Sequence, residues 1–354
     1  LFRIGLDAED INTSGNQGQG MTRLMLFTGK GGVGKSTTSA ATALFYANQG
    51  MKTLLVSSDP AHSTDDTVGT KITDVPAEIS TNLWAMNINA SLVTQERRVR
   101  LQTAFQNTFG KMIPTLSDPD SEMGSVFSIS NAIPGIDEWG AAEVMGQQFE
   151  SGEYDLIIFD TAPTGHTLKA LASPAHVKQF ILQLRRMKKK LMAKLLKGII
   201  FKKDETDDLE EALEQFCNDI DVLRGHLADT EKTKLVLVSI PTEAGFMEFY
   251  RTVQYMKSIG LKPQTLVINN IVPDMGIDVW SEAKNNAAVG MVYHEFRNQQ
   301  EWMRKYTAVC SQESMQLLGA IRLPYEPKGL GTEGRLMDFA KLVCGEDKLA
   351  PPEE

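Results

Sequence analysis

Three cysteines in 354 residues, Cys217, Cys310 and Cys344, lie far apart and form no CxxC pair. That spacing offers neither a disulfide framework nor a metal site, and it fits a reducing compartment. No uninterrupted apolar run approaches the ~18–20 residues of a membrane-spanning helix, and no signal peptide is readable at the N-terminus. Basic residues are in deficit: 36 Lys and Arg against 45 Asp and Glu leave a net charge of −9. Nonspecific nucleic-acid binding needs a basic domain or stripe, so no nucleic-acid partner is expected. What these absences leave is a cytoplasmic chain with ordinary apolar content, long enough for one large α/β domain or a domain with a sizeable insertion.

Residues 1–20 are polar and Gly/Asn-rich towards their end and read as a disordered extension or an expression remnant. From residue 21 short apolar runs recur, each bounded by glycine, proline or a polar residue: Leu24–Thr28, Thr53–Ser57, Leu83–Asn89, Asp155–Phe159, Lys234–Ile240, Thr265–Asn269 and Ala320–Leu323. Most lack strict alternation, as strands buried on both faces of a parallel sheet do. Helical stretches such as Ser36–Gln49 and Glu248–Ser258 separate them. The expected fold is α/β, a doubly wound, mostly parallel sheet over 21–345, with a short tail at 346–354. Two segments, 95–150 and 174–228, break the alternation, being long, helical and rich in methionine and charge; they read as an inserted helical subdomain. In doubly wound sheets ligands sit beyond the carboxyl ends of the strands. The polar signatures fall there: Gly29, Asp59, Asp160, Glu243, Asn269 and Pro324 each follow a strand.

The first signature is Gly29-Lys30-Gly31-Gly32-Val33-Gly34-Lys35-Ser36, followed by Thr37, between a strand and an apolar helix. It satisfies G-x-x-x-x-G-K-[ST], the phosphate loop of P-loop NTPases, in the structural context that pattern requires. Its glycines let successive N–H groups turn in around phosphate oxygens, and the helix N-terminus adds positive potential. Lys35 is expected to reach the β- and γ-phosphates of ATP and Ser36 to ligate Mg²⁺. Lys30, directly after the first glycine, marks the deviant form of the loop, in which this lysine crosses a dimer to the partner's nucleotide and neutralises the transferring phosphoryl group. Asp59, in Asp59-Pro60-Ala61-His62, sits where a residue orienting the attacking water belongs. Asp160 opens Asp160-Thr161-Ala162-Pro163-Thr164-Gly165-His166-Thr167 and suits a role holding Mg²⁺ through water, while Gly165 supplies an N–H near the γ-phosphate. His62 and His166 are given no catalytic part.

These motifs, with IPGIDE at Ile133–Glu138, resemble the arsenite-pump and tail-anchored-protein-targeting ATPases over residues 21 to about 345. The targeting branch is the nearer likeness, because the chain holds one ATPase domain. The resemblance makes Asp59 the catalytic switch I aspartate, Asn269 the amide that reads adenine, Glu243 a nucleotide contact and Pro324 the start of an adenine-flanking loop. It implies ATP and Mg²⁺ as cofactors and a homodimer as the working state. Two departures stand out. The segment Lys284–Val292 reads KNNAAVGMV, without the CxxC through which some relatives clamp a zinc ion between subunits, so no zinc is expected. Switch I reads DPAHSTDD, placing Ser63 and Thr64 where asparagine and leucine are usual.

In the second helical segment Phe180, Ile181, Leu184, Met187, Leu191 and Leu195 fall at helical spacing. From the residues alone that stripe reads as core. The resemblance turns it into one wall of a hydrophobic groove that shields the tail-anchor segments of membrane proteins and hands them to a membrane receptor. Nine basic residues in 185–203 precede seven acidic ones in 204–214, a pattern that weakens a membrane-surface role for the basic run. An arsenite- or antimonite-stimulated pump subunit and a positioning ATPase with a protein partner are the other readings.

Overall fold

The computed structural model describes residues 22–58, 63–88, 136–161 and 208–321, with isolated positions within 95–104 and 179–186 and at 336–337. The chain divides into two compact units, one of residues 1–88, 147–165 and 227–354, the other of 89–146 and 166–226.

The first unit is built on an eight-stranded sheet: β1 (Arg23–Thr28), β2 (Thr53–Ser57), β3 (Ala77–Ser80), β4 (Leu83–Asn87), β5 (Leu156–Asp160), β6 (Thr233–Ser239), β7 (Thr265–Ile271) and β8 (Gln316–Ile321). Their order is β3-β4-β2-β5-β1-β6-β7-β8. Every pairing is parallel except β3 with β4. The unalternating runs follow from this arrangement: β2 and β5 are buried along their whole length, covered on both faces. The register sets Phe27 and Ser57 on either side of Asp160, so β1, β2 and β5 end at one level.

Helix α1 (Lys35–Asn48) runs back over the sheet. Most of its buried positions are alanine, serine or threonine, beside Leu44, Phe45 and Tyr46, and the small side chains let it lie close on Met25, Phe27, Leu55 and Ile158. Tyr46 is fully buried, meeting Phe45 edge-on at 5.4 Å. Truncating a fully buried residue of this layer, such as Phe27, removes contacts worth about 3–5 kcal/mol. Helix α1 stops where Gly50 takes a φ of 89°, the left-handed closure that glycine permits. A six-residue helix, α2 (Ser63–Val68), follows β2. Helix α3 (Ile136–Ser151) buries Met145 and Phe149, one turn apart. In the second unit α4 (Asp208–Ala228) buries Leu213, Cys217, Ile220 and Leu223 at steps of four, three and three residues, an ordinary core stripe. Helices α5 (Glu243–Ser258), α6 (Gly276–Ser281) and α7 (Ala287–Glu313) belong to the first unit.

Several element boundaries differ from expectation, each for a local reason. Helix α5 begins at Glu243, five residues before the expected start, because Thr242 caps it by accepting the Gly245 N–H at 3.1 Å. Strand β8 begins at Gln316, ahead of Ala320; Gly319 interrupts its apolar run in the sequence, yet a Cβ there would come within 2.9 Å of Ile271. Edge strand β3 is short, irregular and partly exposed, with little periodicity to betray it. The KNNAAVGMV segment opens the 27-residue α7, capped by Asn286 through the N–H groups of Ala288 and Val289.

Candidate functional site: a phosphate loop at the strand ends

Strand β1 delivers the chain to Gly29, and α1 begins at Lys35. Two glycines are forced by what surrounds them. A Cβ on Gly29 would run into the Val238 carbonyl of β6, and one on Gly34 would overlap the Asn269 amide. Gly34 also sits at φ 89°, in the left-handed region that side chains disfavour. Val33 anchors the loop from inside, buried in the core beneath α1. Lys30, Gly31 and Gly32 are exposed, whereas Lys35 is buried and Ser36 and Thr37 are half-buried.

Asn269 pins the loop to the end of β7. Its Nδ2 donates to the Val33 carbonyl at 3.1 Å, and its Oδ1 accepts the Asn270 N–H at 2.8 Å. An amide offers two protons and two lone pairs, so one of each remains for a base edge. The strand end is itself shaped: register with β8 breaks between Ile268 and Ile271, and Asn270 takes a φ of 63°. Buried Gln299 on α7 holds that bulge, donating to the Asn270 carbonyl at 3.3 Å and accepting the Val272 N–H at 2.8 Å. Nothing in the sequence marked Gln299; it is one polar residue on a long mixed helix.

No side chain caps α1 at Gly34, and no acidic residue occupies its first turn. The N-terminal N–H groups meet the loop at the helix's positive end, an arrangement that favours an anion. The cradle that a Cβ would fill at Gly29 and Gly34, the buried Lys35 and this helix end fit the phosphates of a nucleotide. Hard oxygen donors suit Mg²⁺, and Ser36 and Asp160 supply them. Asp160 closes β5 fully buried, with Thr64 Oγ1 3.1 Å from its Oδ2. Its carbonyl accepts the Ser58 N–H at 3.0 Å, and the next residue, Thr161, ties back to the Phe27 carbonyl of β1 through its hydroxyl at 2.9 Å. Asp59, Gly165 and Pro324 lie outside the described residues, as do His62 and His166.

Glu243 is exposed at the start of α5, on the wall of a cavity of ≈ 710 Å³ shared with Met291, His294, Glu295 and Trp302 of α7. Beneath it, the Tyr306 hydroxyl lies 2.7 Å from Ser239 Oγ and donates to the Ile240 carbonyl at 3.0 Å, fixing the end of β6. Burial pushes the Tyr306 phenol far above its ordinary value and the Cys310 thiol, one turn on, up to about 12. Cys217 and Cys310 are both buried, and neither forms a disulfide.

Residues 22–309 match the profile of the anion-transporting ATPase family. The chain belongs to that family. This ATPase is 31% identical over 324 residues to a protein of Aquifex aeolicus (strain VF5) provisionally named arsenical pump-driving ATPase 2, covering 91% of this chain and 99% of that one. It is 32% identical over 264 residues to the ATPase GET3B of Arabidopsis thaliana, covering 71% of this chain and 64% of that one. It is also 32% identical over 257 residues to ATPase ASNA1 homolog 1 of Paramecium tetraurelia, covering 70% and 74%. The resemblance carried by the loop and switch motifs is thus confirmed at the level of the family, and with it ATP hydrolysis and the α/β fold. Among the described residues no helix is long and apolar enough to cross a membrane.

Proposed function

We propose that this ATPase works as a homodimer that couples ATP binding and hydrolysis to opening and closing of its subunits, and so binds and releases the hydrophobic tail-anchor segments of membrane proteins. The observation that carries the dimeric half is the contrast within one loop. Lys35 is 6% exposed, built in beside the loop's own phosphate cradle, whereas Lys30 is held at the surface where a second subunit's nucleotide can reach it. Relatives named GET3B and ASNA1 homolog, together with the motif resemblance, support the client half.

In this reading Lys35 and the N-terminal N–H groups of α1 hold the phosphates, and Ser36 and Asp160 would hold Mg²⁺, which would supply positive charge against the phosphate oxygens. Asp59 orients the attacking water, and Lys30 meets the charge that develops on the partner's transferring phosphoryl group. Asn269 meets adenine with the proton and lone pair not spent on Val33 and Asn270. Positioning and charge suffice, since water attacks in line.

Co-expression with a tail-anchored protein tests the client. The ATPase keeps it soluble, Asp59→Asn abolishes turnover while ATP still binds, and Lys30→Ala loses both turnover and closure. Insoluble client, unaffected by the ATPase, refutes the targeting role; hydrolysis by Asp59→Asn refutes the assignment of the water-orienting residue. The Aquifex relative, matched along 99% of its length, favours a second reading as a pump-driving subunit. Stimulation of turnover by arsenite or antimonite would select it.

A further inference from the structure

Thr64 stands where leucine is usual in the family resembled, and it is buried at 0% exposure. A polar side chain so placed must be satisfied, and two groups satisfy it. Its Oγ1 lies 2.9 Å from Ser57 Oγ, at the end of β2, and 3.1 Å from Asp160 Oδ2, at the end of β5. A hydroxyl has one proton, and an ionised carboxylate only accepts. The order of donation is therefore fixed: Thr64 donates to Asp160 and takes the Ser57 proton in turn. The next residue repeats the anchoring, as Asp65 Oδ1 accepts from Asn87 Nδ2 at 2.8 Å, at the end of β4. Two consecutive side chains thus tie α2 to three strand ends, and α2 begins four residues after Asp59.

We infer that Thr64 is a positioning residue for this ATPase: it fixes the rotation of the Asp160 carboxylate and couples it to the helix that follows the Asp59 segment. A charge-assisted bond inside a dry site is stronger than an exposed one, and it costs nothing to form when the metal arrives. Leucine in the same place could fill the volume but could donate nothing. The inference rests on the reading of Asp160 as a metal-holding aspartate, so its test separates the two.

The test uses the full chain with Thr64→Val, which keeps the shape and removes the hydroxyl, Thr64→Ser, which restores it, and Asp160→Asn. Binding of a fluorescent N-methylanthraniloyl ADP is titrated with Mg²⁺, and separately in EDTA. Thr64→Val is expected to bind the nucleotide within about twofold of the parent in EDTA, yet to need about tenfold more Mg²⁺ for half-saturation, the size typical of losing an outer-shell partner. Thr64→Ser returns the Mg²⁺ requirement to that of the parent. A Thr64→Val protein with an unchanged Mg²⁺ requirement overturns the inference, as does equal weakening with and without metal, which marks a general structural role. If Thr64→Val does not fold, Thr64→Ala is read by the same criteria. Should Asp160→Asn itself leave the Mg²⁺ dependence intact, the aspartate's assignment fails, not the hydrogen bond to it.

Discussion

Replacing Gly34 by alanine probes the contact on which the phosphate loop is built. The backbone there has φ 89° and ψ 28°, a left-handed conformation that costs a residue with a Cβ about 1–2 kcal/mol. The new methyl also falls on Asn269 Nδ2, so the amide must leave the Val33 carbonyl it now holds at 3.1 Å. Losing that bond costs about 1 kcal/mol net. A stiffer unfolded chain offsets about 0.5 kcal/mol. Gly34→Ala should therefore destabilise the nucleotide-free protein by about 2 kcal/mol, read as a shift of the urea midpoint at constant slope. The sharper measurement is a cycle with Asn269→Ala, which loses the same hydrogen bond by deletion. Because each single variant removes it, the double variant should be about 1 kcal/mol less destabilised than the sum. Additivity within about 0.3 kcal/mol would refute the claim that Asn269 and Gly34 share one contact, and leave backbone strain as the whole effect.

Tyr306→Phe keeps the ring against Phe246 and Phe249 but leaves the Ile240 carbonyl and Ser239 hydroxyl without their partner; a loss of about 1–3 kcal/mol is expected, and a denaturant midpoint at the parent value would refute it. Cys310, 2% exposed with its thiol pushed up to about 12, should resist iodoacetamide in the native protein at pH 8.5 and react once unfolded; mass mapping of the alkylated cysteines checks this. Since the Cys310 and Tyr306 values are both raised on folding, the unfolded chain gives up these protons first. Their contribution is complete below about pH 9 and falls as pH rises towards 12, so melting temperature should drop on the alkaline side; replacing Cys310 by serine should shallow that drop.

Much of this arrangement was legible from residue order because its causes are local. The loop glycines, Lys35 and the helix that follows are consecutive, and apolar runs without alternation mean strands covered on both faces. β2 and β5 were read almost to the residue for that reason. Elements with mixed patterns were not: β3 lies at an edge, and the long α7 starts in a segment of Asn, Ala and Gly with no apolar stripe to announce it.

What the sequence determined by itself was the chemistry available: a phosphate loop with two lysines, aspartates at strand ends, and membership of an ATPase family. Only the tertiary structure decided which of these side chains act together. Asn269 reaches Val33 across 236 positions, Gln299 shapes the strand end that presents Asn269, and Thr64 meets Asp160 across 96. The reason is geometric. Parallel strands bring their carboxyl ends to one edge whatever their order along the chain, so neighbours at that edge are set by the register of hydrogen-bonded strands, which no local pattern encodes.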